Sequence, residues 1–144
     1  MITGLTHMHS LLRWVILILL IVTIIRAFQS KAGKEARYLT IVTHIMLLIG
    51  LLQWFMGNWG LKLIQANGMG EVMKNSAQRF FAVEHALTMI IATVLITMGG
   101  VFVRKGKSSA KWLYVVALLL ILSRIPWPFM ADGIARGWLP GVGI

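Results

Sequence analysis

The chain has 144 residues, 58% of them hydrophobic and 12% charged, and 14 Lys and Arg against 4 Asp and Glu give a formal net charge of +10. That length suits one domain, and so few charges cannot cover so much apolar surface in water, which excludes an ordinary soluble protein and indicates a lipid-embedded one. The basic residues sit in short loops between apolar runs, which argues for topology signals and against nucleic-acid binding, and the absence of cysteine excludes disulfides, thiolate-held Fe–S clusters and covalent c-type haem.

Four runs approach the roughly 20 apolar residues that span a bilayer as a helix. The first, about 11–27, follows THMHSLLRW. Its apolar stretch ends in Arg26 with no small-residue cleavage site, so it reads as a retained helix rather than a signal peptide. The second and third cover about 38–56 and 80–103. Between them, WGLKLIQANGMGEV reads as a short interfacial helix followed by a glycine-rich break. The fourth covers about 112–129; Pro126 and Pro128 end it, and Trp127 and Trp138 suit the membrane interface. The expected fold is all-α, an integral membrane antiparallel four-helix bundle, with residues 1–144 forming a single transmembrane domain. Arg26, Lys31, Lys34 and Arg37 face only Glu35 in the first connection, and Arg104, Lys105, Lys107 and Lys111 face no acid in the third. The positive-inside rule then places both termini on the non-cytoplasmic side.

A rise of about 1.5 Å per residue puts Arg13, Gln53, Trp54, Glu84, His85 and Arg124 at one height, roughly 7–9 Å outward of the bilayer centre. Ionisable groups at that depth cost at least about 2–3 kcal/mol each and normally face the bundle interior in pairs. Glu84 is the one acid within the spans and the expected partner of Arg13 or Arg124. Two arginines against one glutamate leave surplus positive charge, which suits an anionic group such as a carboxylate. The plainer alternatives are arginines that snorkel to head groups and a glutamate that staples helices together.

His9 lies four residues before Arg13 and so shares its helical face. His85 shares a face with Phe81, Thr88 and Ala92, through which a flat ligand could approach. His44 falls about 6 Å on the cytoplasmic side of the centre. Histidines on facing helices suit bis-imidazole ligation of haem b, with His9, His85 and His44 as candidate ligands. His9 and His85 make the closer pair in height, His44 and His85 the more distant one, at about 13 Å. Arg13 and Arg124 would then neutralise propionates. Each histidine could equally serve as an inter-helix hydrogen bond. His7-Met8-His9 offers a weaker copper signal, and the scattered methionines suit packing.

The segments THMHSLLRW, HIMLLIGLLQWF, RFFAVEHALTMIIATVLITMG and LSRIPWPF together resemble a family of small four-helix membrane proteins of Bacteroidetes-type bacteria labelled "cytochrome B". The resemblance covers nearly the whole chain and implies haem b, electron transfer and a bacterial inner-membrane location. By position it marks His9, Arg13, His44, Arg79, Glu84, His85 and Arg124. The family pattern places a glutamine two residues after the second-helix histidine, where this chain has Met46.

Three functions compete at this point. The first is a haem b electron carrier working between quinol and a partner. The second is a non-catalytic subunit that stabilises a larger respiratory or membrane complex. The third is a binder of a quinone or lipid head group, or of an anion, in an outward-facing pocket. A stand-alone enzyme is disfavoured, because no nucleophile is paired with a base.

Overall fold

The computed structural model describes residues 2–125, with side chains from residue 4. Pro126, Trp127, Pro128 and Trp138, and the expected end of the fourth span at Phe129, lie outside the described residues. Every regular element among the described residues is helical: α1 (Ile2–Phe28), α2 (Lys34–Met56), α3 (Leu61–Asn67), α4 (Met69–Lys74), α5 (Ser76–Arg79), a π-helical turn (Phe80–Glu84), α6 (His85–Arg104) and α7 (Ala110–Arg124). The stretches Gly4–Phe28, Lys34–Asn67 and Ser76–Arg104 are long and apolar enough to cross a membrane.

α1 starts well before the apolar run that announced it. ITGLTHMHS contains no proline, and its one glycine lies within the first turns, so nothing prevents the helix from extending back to Ile2. His7 and His9 therefore sit on the helix. The connection after α2 contains the expected short helix and break: α3 ends at Gly68, whose φ of 84° a side chain would strain, and α4 follows at once.

α1 packs against α2 and α7, and α6 packs against the same two helices. Leu20, Leu39, Ile96, Tyr114 and Ala117 are completely buried where they meet, whereas Ile18, Leu48, Leu87 and Leu119 point outward. An apolar exterior of this kind is what lipid solvates. The close approach of α6 and α7 depends on Gly99. A Cβ there would lie 2.7 Å from Tyr114 Cζ, so the phenol ring fills the space a side chain would need. Hydroxyls in the spans are satisfied within their own helices: Thr23, Thr43, Thr93 and Thr97 donate to the carbonyls of Leu19, Leu39, Met89 and Thr93 at 2.6–2.8 Å.

At the end carrying the α1–α2 and α6–α7 connections, charge stays on the surface. Arg26 Nε meets Glu35 Oε1 at 2.9 Å, and the same oxygen accepts from the Gly33 amide at 2.8 Å, which closes the first connection. Lys107 and Lys111 lie over the rings of Phe102 and Phe28, at 4.8 and 5.3 Å. The opposite end is built differently.

Candidate functional site

At that opposite end a cavity of about 570 Å³ opens between α1, α2 and the start of α6. That volume lies within the range of small-molecule and cofactor sites. The top of the helical core, at Ile16, Ala92 and Ile121, forms its floor. His9 and Arg13 line it from α1, Gly50, Gln53 and Trp54 from α2, and His85 from α6. Trp59, in the turn after α2, and Phe81 flank its mouth with ring centroids 5.2 Å apart. Arg13 is the one permanently charged side chain among the described lining residues.

Of the three histidines that line the cavity, His7, His9 and His85, the last two face each other. Their ring centroids are 6.1 Å apart and their planes 53° apart. Gly50 makes room for His9: a Cβ there would sit 3.6 Å from His9 Nε2, in ordinary contact, and beyond it lies open cavity.

His85 is oriented by a chain of local causes. In the sequence Ile125 precedes Pro126, and the residue before a proline is pushed out of the helical region. Ile125 is accordingly extended, with φ −78° and ψ 133°, and α7 stops at Arg124. The Arg124 carbonyl is thus one of the last four of its helix, which lack an intrahelical donor. His85 Nδ1 lies 2.7 Å from it. A carbonyl oxygen only accepts, so Nδ1 carries the hydrogen, and in the neutral imidazole Nε2 keeps its lone pair. This is the arrangement by which second-shell carbonyls fix the tautomer of ligating histidines.

Glu84 and Arg124 stand behind the cavity rather than in its wall. Glu84 Oε2 accepts from Arg79 Nε at 2.6 Å, and Glu84 Oε1 lies 3.5 Å from Arg124 Nε. Of the two partners expected for Glu84, Arg124 is present and Arg13 is not. The shorter contact comes from Arg79, a residue the charge pattern did not single out. Arg13 instead lies over the ring of its neighbour Trp14, 5.0 Å from the centroid. Three arginines against one glutamate leave this end more positive than two would.

His44 does not join the other two candidates. It is exposed on the outer face of α2, outside the cavity wall, with Nδ1 2.8 Å from the Thr40 carbonyl of its own helix. Thr88, expected on the His85 face, also lies outside the wall, where Met89 stands instead. Gln53 and Trp54 hold the frame. Gln53 Nε2 donates to Thr6 Oγ1 at 3.0 Å, tying α2 to α1, and Trp54 Nε1 donates to the Ala82 carbonyl at 2.8 Å, tying α2 to the π turn. Thr6 and Ser10 also line the cavity and were not anticipated. Their spacing of four, in step with Arg13 three further on, puts all three on one helical face and was the available signal.

No group of three or more His, Asp or Glu able to hold a metal ion occurs among the described residues. No family model, curated protein or solved structure matches the chain, so function has to be argued from these side chains.

Proposed function

We propose that this protein is a membrane-embedded, haem b-binding electron-transfer protein in which the imidazoles of His9 and His85 would hold the haem. The observation that carries the proposal is their juxtaposition, with His85 Nδ1 on the Arg124 carbonyl and Nε2 left to bind. Imidazole–metal bonds of about 2 Å, plus about 1 Å from each nitrogen to its ring centre, would let two imidazoles about 6 Å apart share one metal ion. The separation found here is 6.1 Å. A porphyrin supplies the other four donors, so two imidazoles suffice. Arg13, the one permanently charged side chain among the described residues of the wall, would neutralise a propionate.

The rest of the proposal follows the same geometry. α7 continues the ring of contacts made by α1, α2 and α6, and we place these four helices as an antiparallel four-helix bundle in a bacterial inner membrane. The basic connections face the cytoplasm, and the cavity and both termini lie on the other side. The resemblance to the small "cytochrome B" family fits this arrangement. Haem supplies a one-electron couple, and the protein supplies ligation, charge compensation and exclusion of water by the Trp54, Trp59 and Phe81 rings. Electrons would be exchanged with quinol or with a larger membrane complex.

Protein expressed in a haem-producing host and purified without added haem is expected to show a b-type reduced-minus-oxidised spectrum. Colourless protein from that host overturns the proposal. One observation favours a second function in that event: an apolar cavity with one fixed cation would take a quinone head group or a lipid carboxylate. Extraction of the colourless protein should then yield a small molecule that is missing from Arg13→Gln.

A further inference from the structure

Ser76–Arg104 runs as one helix, yet it is interrupted by the π-helical turn Phe80–Glu84 directly before the cavity histidine. The His85 amide closes this turn by donating to the Phe80 carbonyl five residues back. A π turn holds one residue more than an α turn, and single π turns inside α-helices are frequent at functional sites. With about 100° per residue, the extra residue rotates everything before it by that angle relative to His85.

Two ties depend on the turn. Arg79 and Glu84 are five residues apart, a spacing that in an α-helix would separate their directions by about 140°. Here they meet at 2.6 Å. The second tie comes from another helix, where Trp54 Nε1 donates to the Ala82 carbonyl inside the turn at 2.8 Å. Ala82 is buried, so without Trp54 its carbonyl would lose that partner where water does not replace it.

We propose that Trp54 is a positioning residue for His85: its indole N–H on Ala82 holds the π turn open, and the turn aims the imidazole at His9. The steps connect through named atoms. The turn brings Glu84 between Arg79 and Arg124, the Glu84–Arg124 contact holds the end of α7, and that end presents the carbonyl that fixes the His85 tautomer. If the turn relaxes to α-helical geometry, Arg79 swings away from Glu84 and the Arg124 carbonyl is no longer held against Nδ1. As a role in haem ligation this rests on the function proposed above; as control of the imidazole it does not.

The test uses the full-length chain in lipid bilayers with 15N-labelled histidine, both haem-free and haem-loaded. In haem-free protein the His85 signal, assigned by its loss in His85→Gln, is expected as a single Nδ1–H tautomer. Trp54→Phe keeps a ring but removes the donor, and should give a mixture of tautomers. It should also weaken haem binding by about tenfold, the lower range for loss of a second-shell partner. In the loaded protein it should change the ferric electron paramagnetic resonance g-values, which report the relative orientation of the two imidazole planes. A Trp54→Phe protein that melts like the wild type and keeps the single tautomer overturns the proposal. Should Trp54→Phe fail to fold, hydrogen exchange of the wild-type Trp54 indole N–H tests the same tie: slow exchange is expected, and exchange as fast as that of an unbonded indole overturns the proposal. A wild-type protein that binds no haem, yet loses its single tautomer in Trp54→Phe, supports the positioning role while ending the haem proposal. Haem binding with an unmoved tautomer does the reverse.

Discussion

The two ends of the helical core use glycine for opposite purposes. At the basic end, Gly99 exists so that Tyr114 can fill the space beside it, and the helices close with no room to spare. At the other end, a Cβ on Gly50 would only touch the edge of the His9 ring, at 3.6 Å, and beyond it lies open cavity. The filled end keeps its ion pairs on the surface, as with Arg26 and Glu35. The hollow end also keeps Arg79, Glu84 and Arg124 partly exposed, but it turns Arg13 and the facing His9 and His85 into a cavity wall. Close packing is the default of protein interiors, and polar groups at membrane depth are costly. A hollow lined by His7, His9, His85 and Arg13 is therefore better explained by something that occupies it than by stability.

The comparison breaks most visibly at the histidines. His85→Ala should lower haem affinity by more than about 100-fold, exceeding the effect typical of second-shell changes, and His9→Ala should do the same. His44→Ala, on the outer face of α2, should leave the spectrum unchanged. A titration of haem-free protein with haem measures all three. Equal loss from His44→Ala and His85→Ala would refute the assignment of ligands.

The glycines give the next largest effects, and of opposite kinds. Gly99→Leu drives a side chain into Tyr114, so about 3 kcal/mol of stability should be lost, the upper range for overpacking. Gly50→Leu places its side chain in empty space. Its melting temperature should match the wild type, while haem content falls because the cavity is filled. Thermal melts paired with haem content per mole of protein separate the two outcomes. Parallel losses of stability in both variants would mean that the cavity is not a distinct compartment. A smaller effect is expected at Arg13: Arg13→Gln should weaken haem binding by about tenfold, the scale of one charge-assisted contact at roughly 1.5 kcal/mol.

Much of the filled end was legible in the sequence, and less of the hollow one. The apolar runs announced the long helices, because about 20 such residues without charge have few other uses. Helix rise alone placed Arg13, Gln53, Trp54, Glu84, His85 and Arg124 at one level, and contacts link most of them: His85 to Arg124, Arg124 to Glu84, Trp54 to the π turn. The same arithmetic set His44 apart from the other histidines. What escaped was the phase of the third long helix. FFAVEH reads as ordinary α-helix, because the π turn is stabilised by partners distant in sequence, chiefly Trp54, and leaves no local mark. The regular repeat therefore left Arg79 out of the charge accounting, whereas Thr88, three residues past His85 in regular helix, falls just outside the cavity wall. α1 began earlier than expected for a different reason: hydropathy finds where lipid starts, not where a helix does.

The smallest predicted effect returns to the filled end and tests whether its closeness has a cost. Tyr114 is completely buried, and its hydroxyl has no hydrogen-bond partner among the described residues. A buried hydroxyl without a partner costs about 1–3 kcal/mol of desolvation, of which only part is recovered when the group is removed. Tyr114→Phe keeps the ring against Gly99 and removes the oxygen, so it should raise stability by about 0.5–1 kcal/mol. It should leave haem affinity unchanged, because the ring lies outside the cavity wall. Thermal unfolding of the two proteins side by side in the same detergent measures the difference. A Tyr114→Phe protein less stable than the wild type would mean that the hydroxyl has a polar partner after all, and that the filled end, like the hollow one, holds a buried polar contact in its interior.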